Sequence, residues 1–238
     1  LSMFYDLRQP LNFMNEVKSI LNTDGIWVVE QSYLPFMLKT NSYDTICHEH
    51  YEYYSLQTIK FMTDKLDLKI IDVEFNEVNG GSFSLIITHK NNQYLEYENL
   101  NELLLNENSL NDLETYEAFK KKVSITRRKI NETLLKLKKE GHSVAGIGAS
   151  TKGNVLLQYC NIDSTLIKCI GEVNNTKFGC FTPGTNIPIV SEDEVLTNDT
   201  YEYLLILPWH FKSFFINNKK FKGKKLIFAL PNVEIIEN

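Results

Sequence analysis

The stretch DTICHEHYEYYSL, residues 44–56, sets two histidines, two glutamates and three tyrosines between Asp44 and Ser55, in a chain with five histidines in all. Imidazole titrates near neutral pH and a carboxylate can orient it, so this composition suits a site that moves a proton. In an extended segment His48 and His50 project to one side and Glu49 to the other. Cys47, His48, Glu49 and His50 are also zinc-ligand types. Adjacent residues rarely converge on one metal, however, and no second ligand cluster accompanies them, so no metal site is expected.

A second constellation lies at GIGASTKGN, residues 146–154. Gly146, Gly148 and Gly153 permit a tight strand-to-helix turn and close approach by a ligand. The helix start beyond them offers unpaired N–H groups to an anion, with Lys152 as a cation and Asn154 as a polar neighbour. Glu172 follows at the end of the next strand, where dinucleotide-binding folds place a ribose-binding carboxylate. The spacing is GxGxxxxG rather than GxGxxG, and no Ser or Thr follows Lys152 as a Walker loop requires. The turn therefore suggests nucleotide binding without specifying nicotinamide. Thr182, Gly184 and Thr185 on a Pro/Gly loop, and Trp209 and His210 after a later strand, are expected beyond the carboxyl ends of the strands, where open α/β sheets collect ligands.

These groups must be positioned by an α/β chain. Leu11, Met14, Val17, Ile20 and Leu21 recur at helical spacing, and residues 26–30 form an apolar run read as a buried strand. Ser55 is a good N-cap for a helix with Leu56, Ile59, Met62 and Leu66 on one face. Strands are expected over 69–75 and 82–89, antiparallel because the Asn79-Gly80-Gly81 link is too short for a crossover. Residues 91–140 carry no strand signal. Leu113, Tyr116, Val123, Ile130, Leu134 and Leu137 mark one face of a long helix, whole or broken, with Lys120, Lys121 and Lys122 on its solvated face. From 141 onward short apolar runs at 144–148, 166–171, 203–207 and 226–230 alternate with helices at 152–159, 192–196 and 211–218. That is the pattern of a doubly wound parallel sheet. Three regions follow: 1–90, a helical connector over 91–140, and 141–238.

Composition narrows the function. The net charge of −5 provides no broad basic face for nucleic acid. No apolar run approaches the roughly 18 residues of a membrane span, and no basic-then-apolar leader argues for secretion. The four cysteines form no CxxC pair, which suits a reducing cytoplasm.

EQSYLPFML (30–38), YDTICHEHYEYYS (43–55), NGGSF (79–83), GIGASTKGNVLLQYC (146–160), FTPGTNIPI (181–189) and LILPWHF (205–211) occur in order along the chain. Together they resemble the S-adenosylmethionine-dependent C-methyltransferases, largely bacterial, that act on nucleotide-linked ketosugars in deoxysugar biosynthesis. The resemblance implies the closing half of a class I methyltransferase sheet over 1–90 and a Rossmann-like nucleotide-sugar-binding domain over 141–238. It resembles a carboxy-terminal portion, starting within the central domain at SMFYDL (2–7). The family's amino-terminal zinc module and the donor's glycine-rich loop are not represented, so zinc is expected only in that other domain.

By resemblance His50 is the base that removes the α-proton, with Glu49 orienting it or holding a sugar hydroxyl and His48 in support. Cys47 stands where the family often has tyrosine, so Tyr51, Tyr53 or Tyr54 becomes a candidate for contact with the enolate. Tyr51, Tyr54, Asn79, Lys152, Asn154, Thr182 and Gly184 are expected at the nucleotide-linked sugar, and Glu30 and Gln31 at the S-adenosylmethionine site. The active site is expected between the methyltransferase sheet and the Rossmann-like domain. Two other readings are open: an NAD(P)-dependent sugar-nucleotide oxidoreductase and a non-catalytic nucleotide-sugar-binding module.

Overall fold

A computed structural model describes residues 2–238. They form two compact units. The first holds the residues up to Thr40 together with His48–Phe119, and the second holds Asn41–Cys47 together with Lys120–Asn238.

The first unit begins with α1 (Pro10–Ile20), whose proline occupies the helix start, where its missing N–H costs nothing. Met14 is buried, while Ile20 is 82% exposed, so the buried face is narrower than the spacing predicts. β1 (Trp27–Ser32) runs into α2 (Leu34–Thr40), a short helix for which the sequence carried no capping signal. α3 (Leu56–Lys65) starts at Ser55, whose hydroxyl accepts from the Thr58 N–H at 3.2 Å. β2 (Leu68–Asn76) and β3 (Ser82–His89) follow, then α4 (Leu100–Asn106). The sheet order is β1–β3–β2, with β3 antiparallel to both neighbours. The antiparallel hairpin expected from the Asn79–Gly81 link is present. Val29, Ile70, Phe83, Leu85 and Ile87 of the sheet pack with Phe4, Leu56 and Ile59 in one apolar cluster, each such side chain contributing roughly 1.5–3 kcal/mol by leaving water.

α5 (Leu113–Lys139) is unbroken. It buries Val123, Ile130, Leu134 and Leu137 as the spacing predicts, but Leu113 and Tyr116 are exposed. Lys120, Lys121 and Lys122 face outward. The second unit continues with β4 (Val144–Ile147), α6 (Thr151–Cys160), β5 (Ile167–Glu172), β6 (Ile189–Ser191), α7 (Glu192–Thr197), β7 (Tyr203–Ile206), α8 (Lys212–Asn217), β8 (Lys225–Phe228) and β9 (Glu234–Glu237). The sheet order is β6–β5–β4–β7–β8–β9, parallel except for β9. β4 and β7 are buried along their whole length, which is why their sequences are continuously apolar. β6, three residues long, and β9, a half-exposed edge strand, were too short or too alternating to stand out. The winding direction reverses between β4 and β7, so the carboxyl ends of these strands open a crevice of the kind that collects ligands.

Asn41–Cys47 joins this second unit through side chains. Asn41 Nδ2 donates to Thr126 Oγ1 at 2.9 Å, and the Tyr43 hydroxyl lies 3.3 Å from Cys160 Sγ. A single 3-10 turn, Tyr43–Thr45, is buried there.

Candidate functional site

The crevice at β4 and β7 gathers polar groups in the second unit. Beyond β7, Trp209 opens a 3-10 turn, and its indole Nε1 donates to Asp44 Oδ2 at 2.8 Å. Asp44 is 1% exposed, and its other oxygen, Oδ1, has no partner. Burial pushes the Asp44 carboxyl up, against the Trp209 hydrogen bond and the charge of Lys152. Burial likewise pushes the Lys152 ammonium down, while Asp44 and Cys47 hold it up. His210 stacks on Phe211 with ring centroids 4.3 Å apart. Its pKa is pushed down to about 4, first by burial and then by Lys152, so the ring is neutral at pH 7. His210 Nδ1 and Asn154 Oδ1 are buried without partners. An unpaired buried polar atom costs on the order of 1–3 kcal/mol, so this concentration is what a ligand would relieve.

The glycine turn itself serves the fold. Gly148 has φ +86°, and a Cβ there would sit 2.8 Å from Pro208 Cδ. Ser150 caps α6 by accepting from the Gly153 N–H. Glu172 corrects the ribose expectation: its carboxylate accepts from the Ala149, Val173 and Asn174 amides and from Lys177 Nζ. Burial raises its pKa, but these partners outweigh burial and leave it low. A carboxylate so occupied has no oxygen directed at a ribose.

The Pro/Gly loop is also corrected in position. Pro183 O accepts from Gln158 Nε2, and Gly184 packs on Gln158, near the carboxyl end of α6. The loop leads into β6 and therefore sits at the amino edge of the sheet, away from the crevice. The Thr182 and Thr185 hydroxyls bond each other at 2.6 Å, and Thr182 Oγ1 accepts from the Ile187 N–H. Of the residues expected at the nucleotide sugar, the structure brings Lys152 and Asn154 into the crevice and leaves Thr182 and Gly184 outside it.

The histidine segment belongs to the first unit. It is not extended. Residues 48 and 49 form a turn, with His48 and Glu49 exposed and His50 half-buried, so strand alternation does not govern their directions. The His50 ring lies 4.2 Å from the ring of Tyr5, whose carbonyl accepts the Tyr51 N–H at 2.9 Å. The Tyr51 hydroxyl accepts from Arg8 at 3.0 and 3.2 Å. Tyr54 is in the apolar cluster with its hydroxyl unpartnered, and burial pushes its pKa up. Asn79 adopts a left-handed conformation, φ +57°, between β2 and β3. At the far end of the segment, Glu107 fixes the start of α3. Its Oε1 accepts from Leu56 N and the Tyr33 hydroxyl, and its Oε2 from Gln57 N, all at 2.7 Å.

Glu30 and Gln31 are the residues expected at the methyl donor. Glu30 accepts from Asn76 Nδ2 at 2.9 Å. Gln31 is 1% exposed, with both amide atoms unpartnered, and lies on the same face of β1 as the core residue Val29. Among the described residues no group of three or more His, Cys, Asp or Glu is placed to hold a metal ion, and no helix is long and apolar enough to cross a membrane.

Asp44 emerges as a site residue only with the fold. Trp209-His210 carried a positional signal after a strand, but Asp44 carried none beyond lying in the titratable stretch.

Residues 77–231 match the family described as the C-methyltransferase C-terminal domain. Among curated proteins the chain is similar to C-methyltransferase NovU of Streptomyces niveus, 31% identical over 228 residues that cover 94% of this chain and 54% of that protein. The chain thus spans about half the length of that relative. Its order of motifs, its two folded units and these matches place it plainly: the chain belongs to the C-methyltransferase C-terminal domain family.

Proposed function

We propose that this chain takes part in C-methylation of a nucleotide-linked ketosugar through a base-generated enolate. The second unit holds sugar nucleotide and His50 removes the proton. The observation that carries the binding assignment is the crevice at β4 and β7, where Asp44 Oδ1, Asn154 Oδ1 and His210 Nδ1 are buried without partners at the topological switch point of a Rossmann-like sheet. Family membership and a relative named as a C-methyltransferase supply the reaction class.

Deprotonation breaks the C–H bond on the carbon beside the ketone. Its electron pair becomes the enolate, and the proton passes to the His50 imidazole, a base suited to neutral pH. Glu49, adjacent in the chain, is assigned to orient the ring or to hold a sugar hydroxyl. Tyr5 fixes the ring from one side, and the Arg8–Tyr51 pair holds the following residue. In this family S-adenosylmethionine supplies an electrophilic methyl group; the steps assigned to this chain end at the enolate.

The oxidoreductase reading has no support from Glu172, whose oxygens are taken by backbone amides and Lys177. The test is hydrogen exchange. A nucleotide-linked ketosugar incubated in deuterium oxide should gain deuterium at the α-carbon with the wild-type protein. His50→Ala should lose this exchange by about 100-fold or more, a typical contribution of general-base catalysis, with nucleotide-sugar binding retained. Unchanged exchange in that variant removes His50 from the base role.

A further inference from the structure

The unpartnered atoms of the crevice also state what kind of group they await. Asp44 Oδ1 and Asn154 Oδ1 are hydrogen-bond acceptors without donors, beside His210 Nδ1, which donates or accepts according to the ring tautomer. A diphosphate bridge is itself acceptor-only, so it cannot satisfy them. The basic side chain facing Asp44 is Lys152, which leaves the pair near zero net charge. A diphosphate, by contrast, calls for an excess of cations or a row of free amides. Three amides of this turn are occupied within the fold: Ala149 N donates to Glu172, Gly153 N to Ser150 and Asn154 N to the Ser150 carbonyl. What fits two buried acceptors is a neutral group with adjacent donors.

We infer that Asp44, held by Trp209, together with Asn154 forms a recognition site for adjacent hydroxyl groups of a sugar ring, so that this crevice reads the glycosyl part of the ligand rather than its phosphates. The inference rests on the nucleotide-sugar reading and refines it, narrowing Asn154 from the nucleotide sugar at large to its hydroxyls. Asp44 is a specificity residue in this account. Its Oδ2 is committed to the Trp209 indole at 2.8 Å, which fixes the carboxyl plane and leaves Oδ1 as the free acceptor. A carboxylate accepting from a hydroxyl makes a shorter, stronger bond than a neutral acceptor does. A site built around buried polar atoms rejects analogues that lack the matching hydroxyl, because the atoms then stay unpaired.

The test uses the full chain and Asp44→Asn. Uridine 5′-diphosphoglucose and uridine 5′-diphosphate are titrated by calorimetry, and methyl α-D-glucopyranoside and inorganic pyrophosphate by saturation-transfer NMR. In the variant, Oδ1 can still accept from Trp209 while the amide nitrogen takes the open position, turning acceptor into donor there. The expected result is tighter binding of the sugar nucleotide than of the diphosphate by wild type. The variant should lose affinity for the sugar nucleotide by about 10- to 100-fold, with affinity for the diphosphate within twofold. Saturation transfer to the glycoside should appear in wild type and fade in the variant.

Equal loss for both nucleotides, or a gain for the diphosphate, overturns the hydroxyl assignment and leaves the nucleotide-sugar reading standing. Pyrophosphate binding without glycoside binding does the same. If wild type binds none of the four probes, the reading and the inference both fall. Circular dichroism and thermal melting show whether the variant is folded. Should it not be, Asn154→Asp, which keeps an acceptor in place, must preserve sugar-nucleotide affinity while Asn154→Leu abolishes it; any other pattern overturns the proposal.

Discussion

Replacing Glu107 by Gln tests how the histidine segment is anchored. Glu107 is 1% exposed and serves three donors at 2.7 Å: the Leu56 and Gln57 amides at the start of α3 and the Tyr33 hydroxyl. Glutamine keeps the shape, and its oxygen can still accept from Leu56 and Tyr33. Its amide nitrogen then faces the Gln57 N–H, donor against donor. One charge-assisted bond is lost, about 1.5–3 kcal/mol, and with it the favourable placement of a negative charge at a helix amino terminus, about 0.3–1 kcal/mol. The sum is a cost of about 2–4 kcal/mol in local stability. Native-state hydrogen exchange of the α3 amides is the appropriate assay, since a chain of two units need not unfold in one step. Protection of Ile59–Thr63 should fall by that amount, and Glu107→Ala should cost more because three donors then lose their acceptor. Protection within about 0.5 kcal/mol of wild type would refute the reasoning. The loss should also loosen the segment that ends at Ser55 and so weaken any chemistry His50 performs.

Two more expectations concern the second unit. His210 sits low, at about 4, whereas the unfolded chain carries this ring near 6.5. The unfolded state therefore binds a proton the folded state refuses, and stability from this ring, complete above about 6.5, drains away as pH falls toward 4. Melting temperature measured from pH 7 to 4 should fall less steeply in His210→Asn, with the contributions of Asp44 and Lys152 common to both proteins; equal slopes contradict the neutral-ring assignment. Gly148→Ala imposes a side chain at φ +86° and a Cβ 2.8 Å from Pro208. It should cost about 1–3 kcal/mol, or about 2–4 °C in melting temperature per kcal/mol for a chain of this size. Unchanged melting would return the turn to a ligand-cradling role.

Much of the architecture was legible along the chain. Ser55 capped its helix because a hydroxyl before an apolar-periodic run has a nearby N–H to accept. Val144–Ile147 and Tyr203–Ile206 read as buried strands because a strand covered on both faces has no polar side. Leu113 and Tyr116 continued the spacing of α5 yet are exposed, since periodicity reports which residues share a face and not how far along the helix that face is covered. The turn at His48 and Glu49 was missed for a related reason: alternation is a rule for strands, and nothing in CHEHY announces the turn.

Local order thus governed what local interactions can govern: helix caps, strand burial, the hairpin at Asn79–Gly81 and the residue types able to move a proton or make a tight glycine turn. Partnership was decided by the fold. Asp44 is separated from Trp209 by most of the chain, and Glu172 meets the amide of Ala149 only across neighbouring strands. Burial, not residue type, made the first an unsatisfied acceptor and the second an occupied one. Desolvation and hydrogen-bond completion depend on every group that surrounds an atom, and those neighbours are assembled only when the sheet closes.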